Sequence, residues 1–197
     1  MAGEYIKFNY ELVKSDKIKL DSIKELNDLR NKLYEMGFIG MFKSGEFAGA
    51  GFGNVSIRSE SGFIITGSGT GTKPKITEKD YVEVIDYDFE KNWLKCFGLT
   101  PPSFESLTHA AVYESNKKIN AVIHAHNLEL WKKLLKNNTP KTPEHIGSGT
   151  SEIVDEIKRL IKEEKGIIVM GGHEEGMLIF GSTLDEAWRI LLQYFEK

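Results

Sequence analysis

The chain has 197 residues, 40% hydrophobic and 28% charged, which suffices for a full core in a single domain spanning 1–197 and excludes a disordered or fibrous polypeptide. A formal net charge of −3 gives no general reason to expect nucleic acid or an anionic membrane as partner, and a single cysteine, Cys96, excludes an internal disulfide framework and fits a reducing, cytoplasmic setting. No apolar run is long enough to span a bilayer, and Met1-Ala2-Gly3-Glu4-Tyr5 lacks the apolar core of a signal peptide.

In chain order, Ile6, Phe8, Tyr10 and Leu12 alternate with polar residues and predict a strand within an N-terminal extension over 1–20. Lys14 to Lys19 is charged and expected to be exposed. Ile23, Leu26, Leu29, Leu33 and Met36 form one helical stripe, capped by Asp21 or Ser22 and closed by Gly37 in a left-handed conformation. Residues 37–53 are rich in glycine and aromatics. The glycines at 45, 49, 51 and 53 fit either a flexible connector or a backbone that approaches a ligand. Asn54–Arg58 and Phe63–Thr66 read as a hairpin around Ser59-Glu60-Ser61-Gly62. The next stretch, Gly67-Ser68-Gly69-Thr70-Gly71-Thr72-Lys73, is either a plain loop or an anion cradle of backbone N–H groups, and lacks the Gly-Lys-Ser/Thr ending of a Walker loop.

Thr77–Asp80 predicts a capped turn, Tyr81–Ile85 a strand, 86–92 a turn, and Trp93–Phe97 a strand in which Cys96 serves packing. A helix is expected to start at Thr100-Pro101-Pro102-Ser103 and to place Glu105 and His109 on one face. Ala121–His126 reads as a buried strand. Asn127 caps a helix to about Leu135, and an irregular loop with His145, a histidine with no role, follows to Gly149. Thr150 or Ser151 caps a helix with Ile153, Ile157, Leu160 and Ile161 inward. Gly166–Met170 and Met177–Phe180 are strands around Gly171-Gly172-His173-Glu174-Glu175-Gly176, and Ser182–Asp185 caps a last helix burying Trp188, Leu191, Leu192 and Phe195. Short strands, several in hairpins, alternating with helices predict an α/β fold with a mixed sheet covered on both faces.

Side chains two apart on a strand share a face, so His124 and His126 point the same way. His-x-His alone fits two metal ligands or two half-buried histidines. His173 ends another buried strand. Three histidines from strand ends make a site with an open coordination position, the pattern of catalytic rather than structural zinc. Glu105 is either a first-turn glutamate favoured by the helix dipole or a carboxylate that moves a proton beside the metal.

Four stretches in series, Gly53-Asn54-Val55-Ser56-x-Arg58, Ile65-Thr66-x-Ser68-Gly69, Pro102-Ser103-x-Glu105-x-x-x-His109 and Ala121-Val122-Ile123-His124-x-His126, resemble the class II aldolase/adducin family from about residue 22 to the C-terminus. The resemblance implies a three-layer α/β/α fold with a central mixed, largely antiparallel sheet. It implies Zn²⁺, or another divalent metal, on His124, His126 and His173, and Glu105 as acid/base. Substrate phosphate would bind at Gly53, Asn54, Ser68, Gly69 and Ser103. The implied activity is that of an aldehyde-lyase, which cleaves or forms a C–C bond in a small hydroxylated carbonyl compound or sugar phosphate through a metal-stabilised enediolate. A sugar-phosphate dehydratase is the alternative. An epimerase ranks lower, since epimerases of the family typically carry aspartate at position 105. A non-catalytic, adducin-like interaction module predicts lost metal ligands, and all are present. A homo-oligomer, a four-fold tetramer by preference, is implied too. This chain departs from the family in two places. Ser103-Phe104-Glu105 stands where the aldolases commonly have Ser-Ser-Glu, removing one hydroxyl from the phosphate pocket. Glu174-Glu175 follows His173, where glycine is usual.

Overall fold

The computed structural model describes residues 7–196. Strand β1 (Asn9–Lys14) is followed by helix α1 (Lys24–Glu35), a small pair β2 (Gly40–Met41) and β3 (Gly51–Phe52), and the hairpin β4 (Asn54–Arg58) and β5 (Phe63–Thr66). Then come β6 (Tyr81–Asp88), β7 (Trp93–Gly98), α2 (Ser106–Ser115), β8 (Ala121–His126), α3 (Leu128–Leu135), α4 (Ser151–Leu160), β9 (Gly166–Val169), β10 (Gly176–Gly181) and α5 (Leu184–Phe195).

Eight strands make one sheet in the order β1-β7-β6-β5-β4-β8-β10-β9. Every pairing in it is antiparallel except β1 with β7. Alternation along each strand divides the side chains between two cores. On one face Phe63, Ile65, Val82, Val84, Val122 and Leu178 pack against α2 and α4. On the other, Val55, Ile123, Ala125, Ile167, Met177 and Ile179 pack against α1, α3 and α5. The structure is therefore the three-layer α/β/α arrangement with a mixed, largely antiparallel sheet. Strand β8 is an interior strand, the sixth of eight, flanked by β4 and β10, and all six of its residues are buried.

Several expectations shift by a few residues. Ile6 lies outside the described residues, and the strand in this extension extends to Lys14 and forms the sheet edge beside β7. The turn expected over 86–92 is partly strand: β6 continues to Asp88 through a bulge between Val84 and Asp86 that keeps it paired with β7. The helix expected from Thr100 begins at Ser106, because the Pro101-Pro102 pair supplies no backbone donors and favours extended backbone before each ring. In α5 only Leu191 of the four named residues is fully buried. Phe195 is 42% exposed and meets the Phe38 ring edge-on at 5.0 Å. Gly37 does close α1 in a left-handed conformation, with φ 77°.

The start of α5 carries a measurable charge effect. Thr183 Oγ1 accepts from the Glu186 N–H, and the Glu186 carboxylate accepts from the Ser182 N–H at 2.9 Å and pairs with Lys165 at 2.8 Å. The Lys165 ammonium and the Ser182 donors hold the carboxyl down to about 2. A depressed carboxylate stabilises the fold above its unfolded pKa and loses that contribution as pH falls through its folded value. Glu186→Gln is expected to cost about 1 kcal/mol at neutral pH, a modest figure because solvent screens the lysine pair. The difference should shrink between about pH 4.5 and about 2, read from urea unfolding at a series of pH values. A constant difference across that window contradicts the assignment.

Candidate metal and active site

The alternation of β8 sends Ala121, Ile123 and Ala125 to one face and Val122, His124 and His126 to the other, where the histidines meet the turn between β9 and β10. That turn carries His173. Its backbone is held by Met170 N–H to Gly176 O at 3.0 Å and by Gly171 N–H to Thr142 Oγ1 at 2.9 Å. Trp131 Nε1 on α3 donates to Met170 O at 3.0 Å. Glu175 takes a left-handed φ of 67°, uncommon for a residue with a side chain.

The three Nε2 atoms converge. His124 and His126 are 3.0 Å apart, His126 and His173 3.1 Å, and His124 and His173 3.3 Å. A tetrahedral ion with Zn–N bonds of about 2.0–2.1 Å needs nitrogens about 3.3 Å apart, so the spacing suits such an ion. The protonation pattern suits it as well. His124 Nδ1 lies 3.1 Å from Met177 O, which can only accept, so the proton is on Nδ1 and Nε2 presents a lone pair. Burial pushes His124 down to about 4, and burial together with the neighbouring His124 pushes His173 to about 4. Burial lowers His126 too. All three rings are therefore neutral near pH 7, the state that binds a metal. His126 Nδ1 is buried without a partner, and Glu175 Oε2 stands 4.0 Å from it. Of the two acids following His173, Glu175 thus lies behind a candidate ligand, while Glu174 is exposed.

Glu105 occupies the N-cap position of α2, where its side chain makes no capping bond, and is 3% exposed. Thr108 Oγ1 donates to its Oε2 at 2.5 Å, and Oε1 is buried with no partner. Its charge reaches His173. His109 does not share this role. Its Nδ1 meets Ser56 Oγ at 2.7 Å, and Ser56 Oγ meets Tyr113 Oη at 2.8 Å, a buried network between α2 and β4. His145 lies in its loop and stands outside the histidine cluster. Cys96 is buried, and burial pushes its thiol up to about 12, which leaves it a packing residue.

A cavity of about 610 Å³ opens over the histidines. Gly53, Asn54, Gly69, Ser103 and Glu105 line it together with His124, His126 and His173. At Gly53, φ is 74°, and a Cβ there would collide with the carbonyl of Phe38 and crowd that of His124, so only glycine lets β4 begin this close to β8. Asn54 pairs with His124 across the strands and has a buried, unpartnered Oδ1. Ser103 Oγ accepts from the Glu105 N–H at 3.3 Å. Ser68 sits in the same loop as Gly69, but it gives its backbone N–H to Pro101 O at 2.9 Å and is not among the described residues lining the cavity.

Three features escaped the sequence reading. Arg30, 0% exposed, donates to Thr70 O at 2.7 Å, Lys73 O at 2.5 Å and Pro74 O at 3.2 Å, so a residue of a packing helix clamps the glycine-rich loop from behind. Its signal was present as an arginine four after Leu26 and three before Leu33 on the apolar stripe. Phe42 and Phe52, at the small β2–β3 pair, wall the cavity with ring centroids 5.7 Å and 5.1 Å from that of His126. Lys7 lines the cavity from the N-terminal extension.

Residues 40–196 match the family described as Class II Aldolase and Adducin N-terminal domain. The chain is 28% identical over 149 residues to the 5-methylthioribulose-1-phosphate/5-deoxyribulose-1-phosphate aldolase of Escherichia coli O45:K1 (strain S88 / ExPEC). That match takes in 68% of this chain and 65% of the relative, just under two thirds of its length. L-fuculose-1-phosphate aldolase from Thermus thermophilus superposes with a TM-score of 0.58 at 20% identity, over 86% of this chain and 83% of that one. YgbL from Escherichia coli superposes with a TM-score of 0.66 at 18% identity, over 91% and 87% of the two chains. At these identities the two structures speak for the fold. The family profile reaches further, since it spans β4, α2, β8 and all three histidines, and on that ground the chain belongs to the class II aldolase and adducin family.

Proposed function

We propose that this protein is a zinc-dependent aldehyde-lyase that cleaves or forms a C–C bond in a small sugar-phosphate carbonyl compound. The observation that carries the reading is the meeting of three neutral imidazole Nε2 atoms within 3.0–3.3 Å in the same cavity as Glu105, whose Oε1 is unpartnered. A divalent ion held by His124, His126 and His173 would supply Lewis acidity toward the carbonyl and adjacent hydroxyl oxygens of the bound ketose. Thr108 orients the Glu105 carboxylate through Oε2, leaving Oε1 to take a proton from the carbon beside the carbonyl and to return it in the reverse direction. Phe42 and Phe52 keep water from the His126 side. Gly53, Asn54, Gly69 and Ser103 form the phosphate end in this reading, without a large positive patch, while Ser68, expected there too, lies off the described cavity lining. The relative of Escherichia coli, an aldolase by name, supports the lyase over the dehydratase.

The test is hydrogen exchange of dihydroxyacetone phosphate in D₂O, followed by NMR with the zinc-loaded chain. Stereospecific, EDTA-sensitive loss of one C–H signal at the hydroxymethyl carbon is the expected result. Absence of exchange in protein shown to carry the metal would overturn this reading for a phosphorylated donor and move the dehydratase ahead of the lyase.

A further inference from the structure

Lys7 lies outside the residues 40–196 that define the family match, yet its side chain reaches the candidate site. The chain at this point is fixed by β1 joining the sheet edge. Asn92 Nδ2 donates to Lys7 O at 2.7 Å, and Asn9 N–H donates to Asn92 O at 2.9 Å. From there the ammonium extends over the Phe104 ring, with Nζ 5.3 Å from the ring centroid, and donates one hydrogen bond to Ser148 O at 3.0 Å. The ring is itself seated against Gly149, where a Cβ would collide with it. Two of the three ammonium donors are not spent on that bond. Among the described residues no carboxylate lies within ion-pairing distance of Lys7. It is also the one lysine or arginine among the described residues lining the cavity, against Glu46, Glu105, Glu174 and Glu175.

The metal of the reading above would answer part of that acidic charge at the histidines, and Lys7 is the one cationic side chain that the described lining offers a dianion besides it. The place of this cation matters. Phe104 stands where the family's aldolases commonly carry a serine hydroxyl, next to Ser103 of the phosphate end. The exchange of a hydroxyl for a phenyl ring removes one neutral donor and creates a face that seats an ammonium. We propose that Lys7 binds the phosphate dianion of the substrate, with Phe104 as its seat, so that a charged donor from the N-terminal extension takes the place of the missing hydroxyl. A charge-assisted bond to phosphate is stronger than the neutral one it replaces. The proposal rests on the reading above that the substrate is phosphorylated.

The test is calorimetric titration of the full, zinc-loaded chain with inorganic phosphate and with dihydroxyacetone phosphate, for the wild type, Lys7→Met and Lys7→Arg. Methionine keeps an apolar stem over Phe104 and removes the charge. Lys7→Met is expected to weaken both ligands about tenfold or more, the scale of a charged hydrogen bond. Lys7→Arg should stay within a few-fold, and zinc content should be unchanged in both variants. Binding by Lys7→Met within twofold of the wild type overturns the proposal, as does a wild type that binds neither ligand. Phosphate binding that depends on Lys7 in a protein that catalyses no exchange would uphold the lysine's role and sink the lyase reading. Exchange with a half-saturating concentration indifferent to Lys7→Met would do the reverse.

Discussion

Glu105→Gln is expected to retain the full complement of metal and to lose hydrogen exchange on dihydroxyacetone phosphate by about 10²–10⁴-fold, the range a positioned acid/base supplies. The substitution is nearly isosteric. Glu105 is 3% exposed, and the amide oxygen of glutamine can still accept from Thr108 Oγ1, so the start of α2 should stand. What is lost is a basic oxygen at the Oε1 position, which lies buried and unpartnered within the cavity. Glu105 lies outside the cluster of three histidines that could hold a metal ion, so metal analysis separates its proposed role from theirs. Exchange that survives within a few-fold in a variant carrying normal metal would remove Glu105 from the mechanism and leave it as a first-turn acid favoured by the helix dipole.

His124→Ala is expected to reduce bound metal from about one ion per chain to near zero, since two imidazoles hold a divalent ion far more weakly than three. Exchange should vanish with the metal. The substitution also opens a small void in β8, so a second variant is needed to separate site loss from core damage. His109 is as deeply buried, but it bonds to Ser56 Oγ and lies outside the cluster. His109→Ala should cost stability by breaking the Ser56–Tyr113 network while leaving the metal in place. Equal metal in the wild type and His124→Ala, by elemental analysis after dialysis, would refute the assignment. Loss of metal in His109→Ala to the same extent would show that any damage to this core releases the ion.

Much of this site could be read along the chain. The period of two over Ala121–His126 put His124 and His126 on one face, and the fold keeps that parity because a strand buried on both sides has no freedom to slip register. The hairpin of β4 and β5 and the Asn127 and Thr183 caps depend on neighbouring residues alone, and each appears as expected. Boundaries moved where long-range pairing outweighed local preference, as in the bulged continuation of β6 alongside β7.

Taken alone, the sequence determined the periodicities: which strands are buried, which faces the helices present, and that histidines and an acid occur at strand and helix ends. Only the tertiary structure decided their distances. His173 lies 47 residues from His126, and no local rule brings two imidazoles so separated to 3.1 Å; the antiparallel pairing of β8 with β10 does. The same holds for Arg30 behind the glycine-rich loop, Phe42 and Phe52 beside His126, and Lys7 over Phe104. Each of these contacts joins segments whose local patterns carry no information about one another, because a side chain's partner across the fold is set by sheet order and register rather than by its neighbours in the chain.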